Sequence, residues 1–340
     1  MPTNRAAYLT GQGAPLEIKS APYPTPRDDQ ILVKNHAIPI NPVDWYLQEN
    51  GVDLFEWITL PFVAGEDIAG EVVEVGSAVT RFKVGDRVAA MVLSVQTNDP
   101  TEGGFQEYSL ALEKAAVKIP DSLSYEQASV FPMCLATAAA GLFEEDQLAL
   151  PYATFPPRNP TGEYVLITGG ASSVGCNAIQ LAVAAGYQVI TTSSAKNFDF
   201  VKRLGASHAF DYNDPNHSTQ IKDLLKGKTL AGALSISRGT FPTCTDVVQH
   251  SEGRKFVSNA VPFDDPVPDG IRTGTIFACT IVDNGIADAI YRDFIPQALA
   301  DGSFIVAPEP QVAGAGLESL EAAMALQKKG VSASKVVVTL

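Results

Sequence analysis

The sequence predicts an α/β fold: a doubly wound parallel sheet joined to a smaller β-rich part. Three observations carry that expectation. The run Tyr164-Val-Leu-Ile-Thr-Gly-Gly-Ala-Ser-Ser-Val-Gly175 goes from β-branched residues through paired glycines to small residues at helical spacing, and continues through Gln180–Gly186. It reads as a buried strand, a tight turn and a helix whose first amides face the turn. A second strand, Gln188-Val-Ile-Thr-Thr192, follows at the distance a βαβ unit requires. Ahead of both, residues up to about 125 are rich in Val, Ile, Pro and Gly and hold short alternating strands such as Gln30–His36 and Ala69–Val75.

In chain order, the β-rich part gives way at Ser124 to a helical pattern, through Tyr125–Val130 and the alanine-rich Leu135–Phe143. The proline-rich loop Leu150–Pro160 leads into the first strand of the parallel sheet, and strands and helices alternate to about residue 300. The apolar stretch Thr275–Ile281 is expected as a strand, either an edge that pairs across a dimer or a buried strand in a monomer. A helix at Leu317–Leu326 and a strand at Ser334–Leu340 close the chain.

The turn at Gly170, Ser172, Ser173 and Val174 is expected to hold a phosphate, because backbone donors and the positive helix end meet there. The end of the next strand selects the cofactor. A carboxylate for the ribose 2′-OH is usual about 20 residues past the glycines. Here the strand runs into Ser193, Ser194, Ala195, Lys196 and Asn197, with no acid until Asp199. A lysine beside two hydroxyls suits a 2′-phosphate, so NADPH is the expected cofactor.

Composition excludes several classes. The formal net charge of -14, from 24 basic and 38 acidic residues, disfavours nucleic acid and anionic membranes as partners. The N-terminal residues lack an apolar signal core and no run is long enough to span a bilayer. Cys134, Cys176, Cys244 and Cys279 lie far apart without metal spacing, which points to a reducing, cytoplasmic setting. Ser172 and Ser173 follow a strand but lack the second glycine of a hydrolase elbow, and His36 alone builds no triad.

Five segments appear in order: Asn41–Trp45, Leu60–Gly70, Val75–Val88, Gly103–Tyr108 and Ile119–Ala128. Together they resemble the medium-chain dehydrogenase/reductase superfamily over nearly the whole chain, and within it the zinc-independent quinone oxidoreductase and enoyl reductase branch. Asn197–Ala206 and Phe210–Tyr212 are similar to the fungal ToxD-like members, a neighbourhood that includes trans-acting enoyl reductases working beside polyketide synthases. The resemblance implies a GroES-like domain (residues 1–128 plus 301–340) and a Rossmann NADP-binding domain (129–300), with the active site in a cleft between them.

Alcohol dehydrogenases of that superfamily hold a catalytic zinc with Cys, His and Cys. Those positions fall here on Asn41, Glu66 and Met133, with Cys134 one residue off, and Ala89–Gly104 lacks the cysteines of the structural zinc. An amide and a thioether are poor zinc ligands, so no metal is expected.

The expected reaction is hydride transfer from NADPH to a conjugated C=C bond (an enone or enoyl group) or a quinone. The substrate is either free or tethered to a synthase carrier domain. Tyr46 is the candidate donor to the acceptor oxygen, with the alternative that it only lines the cleft wall. By the resemblance, Thr137 lies near the nicotinamide, Asp44 and Tyr212 lie close to the cofactor, and Ser258 completes the cofactor set. Thr137 could instead bond its own helix backbone. Where relatives often read Ala-Leu-Asp, this chain has Ala233-Leu-Ser235. A protein that binds NADPH without turnover is the alternative from another class. Oligomeric state, monomer or homodimer, stays open.

Overall fold

Alternating apolar residues in the N-terminal third pair as antiparallel strands with one face buried, as period-two patterning requires. The computed structural model describes residues 3–51 and 55–340. Two units separate, one of residues 1–133 and 306–340, the other of residues 134–305.

In the first unit, β1 (Asn4–Tyr8) pairs with β2 (Glu17–Ala21). The long β3 (Gln30–Pro39) leads into α1 (Pro42–Asn50), and β4 (Asp67–Val75) and β5 (Arg87–Met91) follow. Next come α2 (Ser94–Thr97), β6 (Tyr108–Leu112), β7 (Ala116–Lys118), α3 (Tyr125–Ser129) and α4 (Pro132–Phe143), the last running on into the second unit. Ile31, Val33, Ile68, Val72, Val88, Ala90 and Val92 form the core this sheet closes on. Each aliphatic side chain fully buried in it contributes about 1.5–3 kcal/mol.

The second unit holds β8 (Tyr164–Ile167), α5 (Ser173–Ala184), β9 (Gln188–Ser193), α6 (Phe198–Arg203), β10 (His208–Asp211) and α7 (His217–Leu224). After these come β11 (Thr229–Ser235), α8 (Phe241–His250), β12 (Glu252–Gly253), β13 (Phe256–Asn259), β14 (Arg272–Thr275) and α9 (Ile295–Asp301). The strands lie parallel in the order β10-β9-β8-β11-β13-β14, with β12 beside β11. Crossover helices make such a sheet buried on both faces. The chain then returns to the first unit through β15 (Glu309–Ala315), α10 (Leu320–Lys329) and β16 (Ser334–Thr339), and β16 pairs with β3.

One expected element is corrected. Of Thr275–Ile281 only Thr275 belongs to a strand; the stretch continues into 3-10 turns over Ala278–Asp283. Ala278, Cys279, Ile281 and Val282 are buried there, so the apolar content serves packing and not strand pairing.

Candidate functional site

The two units carry separate parts of the candidate machinery. In the second unit the parts converge at the carboxyl ends of adjacent parallel strands, where open α/β sheets bind ligands. β8 ends at Ile167, and Gly169 takes φ +69° to turn the chain. A Cβ on Gly170 would fall on the Thr191 hydroxyl, and one on Gly175 would fall on the carbonyl oxygen of Gly169. Backbone therefore packs on backbone, and α5 starts directly against the turn. Ser172 N-caps α5, its Oγ accepting the Gly175 N–H at 3.1 Å while its carbonyl accepts the Cys176 N–H. Its side chain is thus used by the helix itself.

β9 ends at the buried Ser193, after which Ser194 and Asn197 are half-buried and Lys196 is exposed. The Asn197 amide donates to Ser194 Oγ at 3.1 Å. Among the described residues no carboxylate stands within ion-pair distance of Lys196. Tyr212 follows the neighbouring β10, is 52% exposed, and donates its N–H to the Ser193 carbonyl at 3.4 Å. Gly170, Ser172, Ser173, Val174, Ser193, Ser194, Lys196, Asn197 and Tyr212 therefore share one end of three neighbouring strands, β10, β9 and β8.

Ser258 sits on β13, fully buried, and its hydroxyl donates to Gln147 Oε1 at 2.5 Å. Gln147 had no signal in the sequence; its amide also reaches the Thr275 carbonyl at 3.4 Å. Ser235 shares a 2.9 Å hydroxyl contact with Thr240. Thr137 lies on α4 and is buried to 9% exposure.

The first unit holds Tyr46 and a buried polar cluster. Tyr46 is half-buried on α1, its ring 6.4 Å from that of Trp45. Asp44 closes a capping box at the start of α1, its Oδ2 accepting the Asn41 N–H at 2.6 Å. Around that helix start are Asn41, Asp44, Glu66, Asp67 and Lys335, none more than 4% exposed. Lys335 Nζ donates to Asn41 Oδ1 at 2.6 Å and stands 3.8 Å from Asp67 Oδ2. Asn41 Nδ2 donates to the same Asp67 oxygen at 2.8 Å, and Asp67 Oδ1 accepts the Met133 N–H at 2.5 Å. Glu66 Oε1 accepts from Ser94 Oγ at 3.3 Å.

Burial raises the pKa of all three carboxyls. Asp44 is pushed up to about 7 by loss of solvent, against the lowering effect of the Asn41 N–H and of Lys335. Glu66 is driven well above its ordinary value by burial and then by Asp44 and Asp67. Asp67 is raised by burial and held back by Lys335 and Asn41. The zinc-ligand positions thus carry an amide, a carboxyl bonded to a serine, and a methionine whose backbone N–H is engaged, a donor set that does not fit zinc. Among the described residues no group of three or more His, Cys, Asp or Glu is placed to hold a metal ion. Asp67 and Lys335 escaped the sequence reading; the available signal was a single lysine in the otherwise apolar closing strand.

Residues 27–121 match the family model for an alcohol dehydrogenase GroES-like domain, and residues 173–267 match the one for a zinc-binding dehydrogenase. Dehydrogenase pigH of Monascus ruber is 48% identical, with 100% of both chains covered. Trans-enoyl reductase himH of Aspergillus japonicus is 36% identical over 92% of this chain and 90% of its own. The crystal structure of an alcohol dehydrogenase superfamily protein from Novosphingobium aromaticivorans shares the fold with a TM-score of 0.77 at 22% identity, covering 99% of this chain and 100% of that one. The chain is an oxidoreductase that belongs to the medium-chain dehydrogenase/reductase family.

Proposed function

We propose that the protein is an NADPH-dependent, metal-independent reductase of conjugated C=C bonds. The observation that carries the reading is Lys196, exposed at the carboxyl end of β9 with no carboxylate paired to it among the described residues, one strand from the glycine turn. The residues there fit the dinucleotide. Ser172 occupies the Gly175 and Cys176 amides, which leaves a phosphate to the N–H groups of Ser173 and Val174 at the helix end. Ser194, Lys196 and Asn197 would hold the 2′-phosphate, with the exposed Tyr212 at the same strand end.

The dinucleotide, when bound, supplies the hydride. A conjugated acceptor suits a site without a metal, because its carbonyl already makes the receiving carbon electrophilic. The protein orients that carbonyl and stabilises the negative charge that develops on its oxygen. Tyr46 supplies a phenolic O–H donor, and Thr137 supplies a second hydroxyl. An enoyl group is the favoured acceptor, since the Aspergillus japonicus relative is named a trans-enoyl reductase. The same name makes a carrier-tethered thioester the natural second form of the substrate.

The deciding assay follows NADPH oxidation with an enone, an enoyl thioester and a simple quinone, each with and without a chelator. Turnover indifferent to chelator is expected, fastest with the enoyl thioester. Tight NADPH binding without turnover on any acceptor would leave a non-catalytic binder. Lys196→Ala is expected to weaken NADPH binding ~10- to 100-fold, the loss of one charge-assisted contact, with NADH binding unchanged. Equal losses for both dinucleotides would remove Lys196 from the 2′-phosphate. Tyr46→Phe should lower kcat about 10-fold at constant NADPH affinity, and an unchanged kcat would reduce Tyr46 to a wall residue.

A further inference from the structure

Lys196 serves one phosphate of the proposed cofactor, which carries two more in its diphosphate bridge. In a chain of net charge -14 an anion is held by local donors and cations, against the overall field. The strand order shows where a second cation belongs. From β8 the sheet runs through β9 to β10 on one side, and through β11, β13 and β14 on the other. The topology therefore reverses between β8 and β11, and the crevice outside their carboxyl ends is the place where such sheets bind ligands.

The glycine turn after β8 is one wall of that crevice. The turn from Ile236 to Thr240, between β11 and α8, is the other. The two turns abut. Thr168 N–H donates to the Leu234 carbonyl at 3.0 Å, and Ile236 N–H reaches Thr168 Oγ1 at 3.4 Å. A Cβ on Gly169 would lie 3.3 Å from Ser237 Oγ and 3.8 Å from Ser172 Oγ, so both hydroxyls border the glycine turn. Thr240 fixes the second turn, its N–H and its Oγ both donating to the Ser237 carbonyl, at 3.2 and 2.7 Å. Ser237, Arg238 and Gly239 are exposed at the tip, where Gly239 takes φ +79°. Among the described residues no carboxylate stands within ion-pair distance of Arg238.

We propose that the turn after β11 is the second wall of the dinucleotide site, with the Arg238 guanidinium as its donor to the diphosphate bridge. The inference rests on the proposed dinucleotide reading and divides the work between two cations on either side of the glycine turn. Lys196, after β9, selects for the 2′-phosphate. Arg238, after β11, holds the bridge that NADPH and NADH share. A guanidinium suits that bridge, because its planar fork gives parallel N–H bonds to phosphate oxygens. Thr240 has already ordered the backbone that carries it, so less freedom is lost when an anion binds.

The ordinary reading of an exposed arginine is a solvated surface charge. Position argues against it here. Arg238 directly follows a hydroxyl that borders the glycine turn, at the strand ends that open α/β sheets use for ligands.

The test is titration of the full chain with NADPH, NADH, ADP-ribose and 2′-AMP, for wild type, Arg238→Ala, Arg238→Lys and Lys196→Ala. ADP-ribose carries the diphosphate without a 2′-phosphate, and 2′-AMP carries the reverse. Arg238→Ala is expected to weaken NADPH, NADH and ADP-ribose about 10-fold each and to leave 2′-AMP unchanged. Lys196→Ala should give the opposite split, weakening NADPH and 2′-AMP alone. Arg238→Lys keeps the charge without the fork, so its affinities should fall between those of wild type and Arg238→Ala. The salt dependence of NADPH binding should flatten in Arg238→Ala, while its melting temperature without ligand stays within about 2 °C of wild type.

A loss of NADPH affinity below about threefold in Arg238→Ala would overturn the proposal. So would a loss confined to NADPH and 2′-AMP, which would place the 2′-phosphate on Arg238. Equal losses for all four ligands would mark general damage to the fold and overturn it as well. Unchanged dinucleotide binding with a raised KM for a coenzyme A enoyl thioester would give the guanidinium to a phosphate of the substrate instead. A wild type that binds NADPH without turnover sinks the reductase reading alone, because binding still decides the role of Arg238. A wild type that binds neither dinucleotide overturns both.

Discussion

Gly175→Ala is expected to abolish productive NADPH binding. A methyl group there would sit closer than 3.0 Å to the Gly169 carbonyl oxygen and to Gly170, and both obstacles are backbone atoms that no rotamer change can clear. The first turn of α5 must move away from the end of β8, and the amides of Ser173 and Val174 move with it. Overpacking of this kind costs about 1–3 kcal/mol of stability. The larger effect is expected on the cofactor, because the proposed phosphate contacts depend on where the helix end stands. A loss of ~100-fold or more in NADPH affinity corresponds to about 2.7 kcal/mol. Fluorescence titration with NADPH, beside a thermal melt, checks both numbers. Gly227→Ala is the control: that glycine also has positive φ, at +69°, but nothing stands within 4 Å of its missing side chain. It should lose about 1 kcal/mol of stability and no cofactor affinity. A Gly175→Ala protein that binds NADPH within threefold of wild type would mean that the turn does not hold the phosphate.

The contrast between this turn and the rest of the site explains what the sequence made legible. The strand, the glycines and the capped helix of Tyr164–Ala184 are contiguous, so each residue type reports directly on its neighbour's backbone. Lys196 follows by counting along the next strand. The five ordered segments of the N-terminal third likewise announce the family, and with it the β-rich unit. What stayed hidden depends on partners far away in the chain. Ser258 is tied to Gln147, 111 residues earlier, and Lys335 to Asn41, 294 residues earlier. No local periodicity encodes such pairs. Thr275–Ile281 illustrates the opposite failure: strong strand propensity was overridden by tertiary burial in 3-10 turns.

The buried carboxyls impose a pH dependence of unusual sign for acidic side chains, and its removal is the second large effect expected. Two salt-bridged carboxylates, Asp86 beside Lys118 and Asp246 beside Lys222, have lowered pKa values. Their stabilisation is present above the unfolded value and lost as pH falls through the folded one. Asp44 works the other way. Its folded pKa of about 7 lies above the ordinary 3.8, so the folded state binds the proton more tightly than the unfolded chain. The stability it contributes is complete below about pH 4 and is lost as pH rises through about 7. Over that window the slope from one such group is up to ~1.4 kcal/mol per pH unit. Glu66, raised for the same reason, adds to the trend. Asp44→Asn keeps an oxygen to accept the Asn41 N–H and removes the charge. The variant should therefore be more stable than wild type at pH 8, by on the order of 2 kcal/mol, and indistinguishable from it near pH 4. Denaturant titrations of both proteins at those two pH values measure the difference. A variant less stable than wild type at pH 8 would show that ionised Asp44 is already compensated in the fold. The cluster would then stabilise the protein outright, and the proton it holds at neutral pH would have to reside on Glu66 or Asp67.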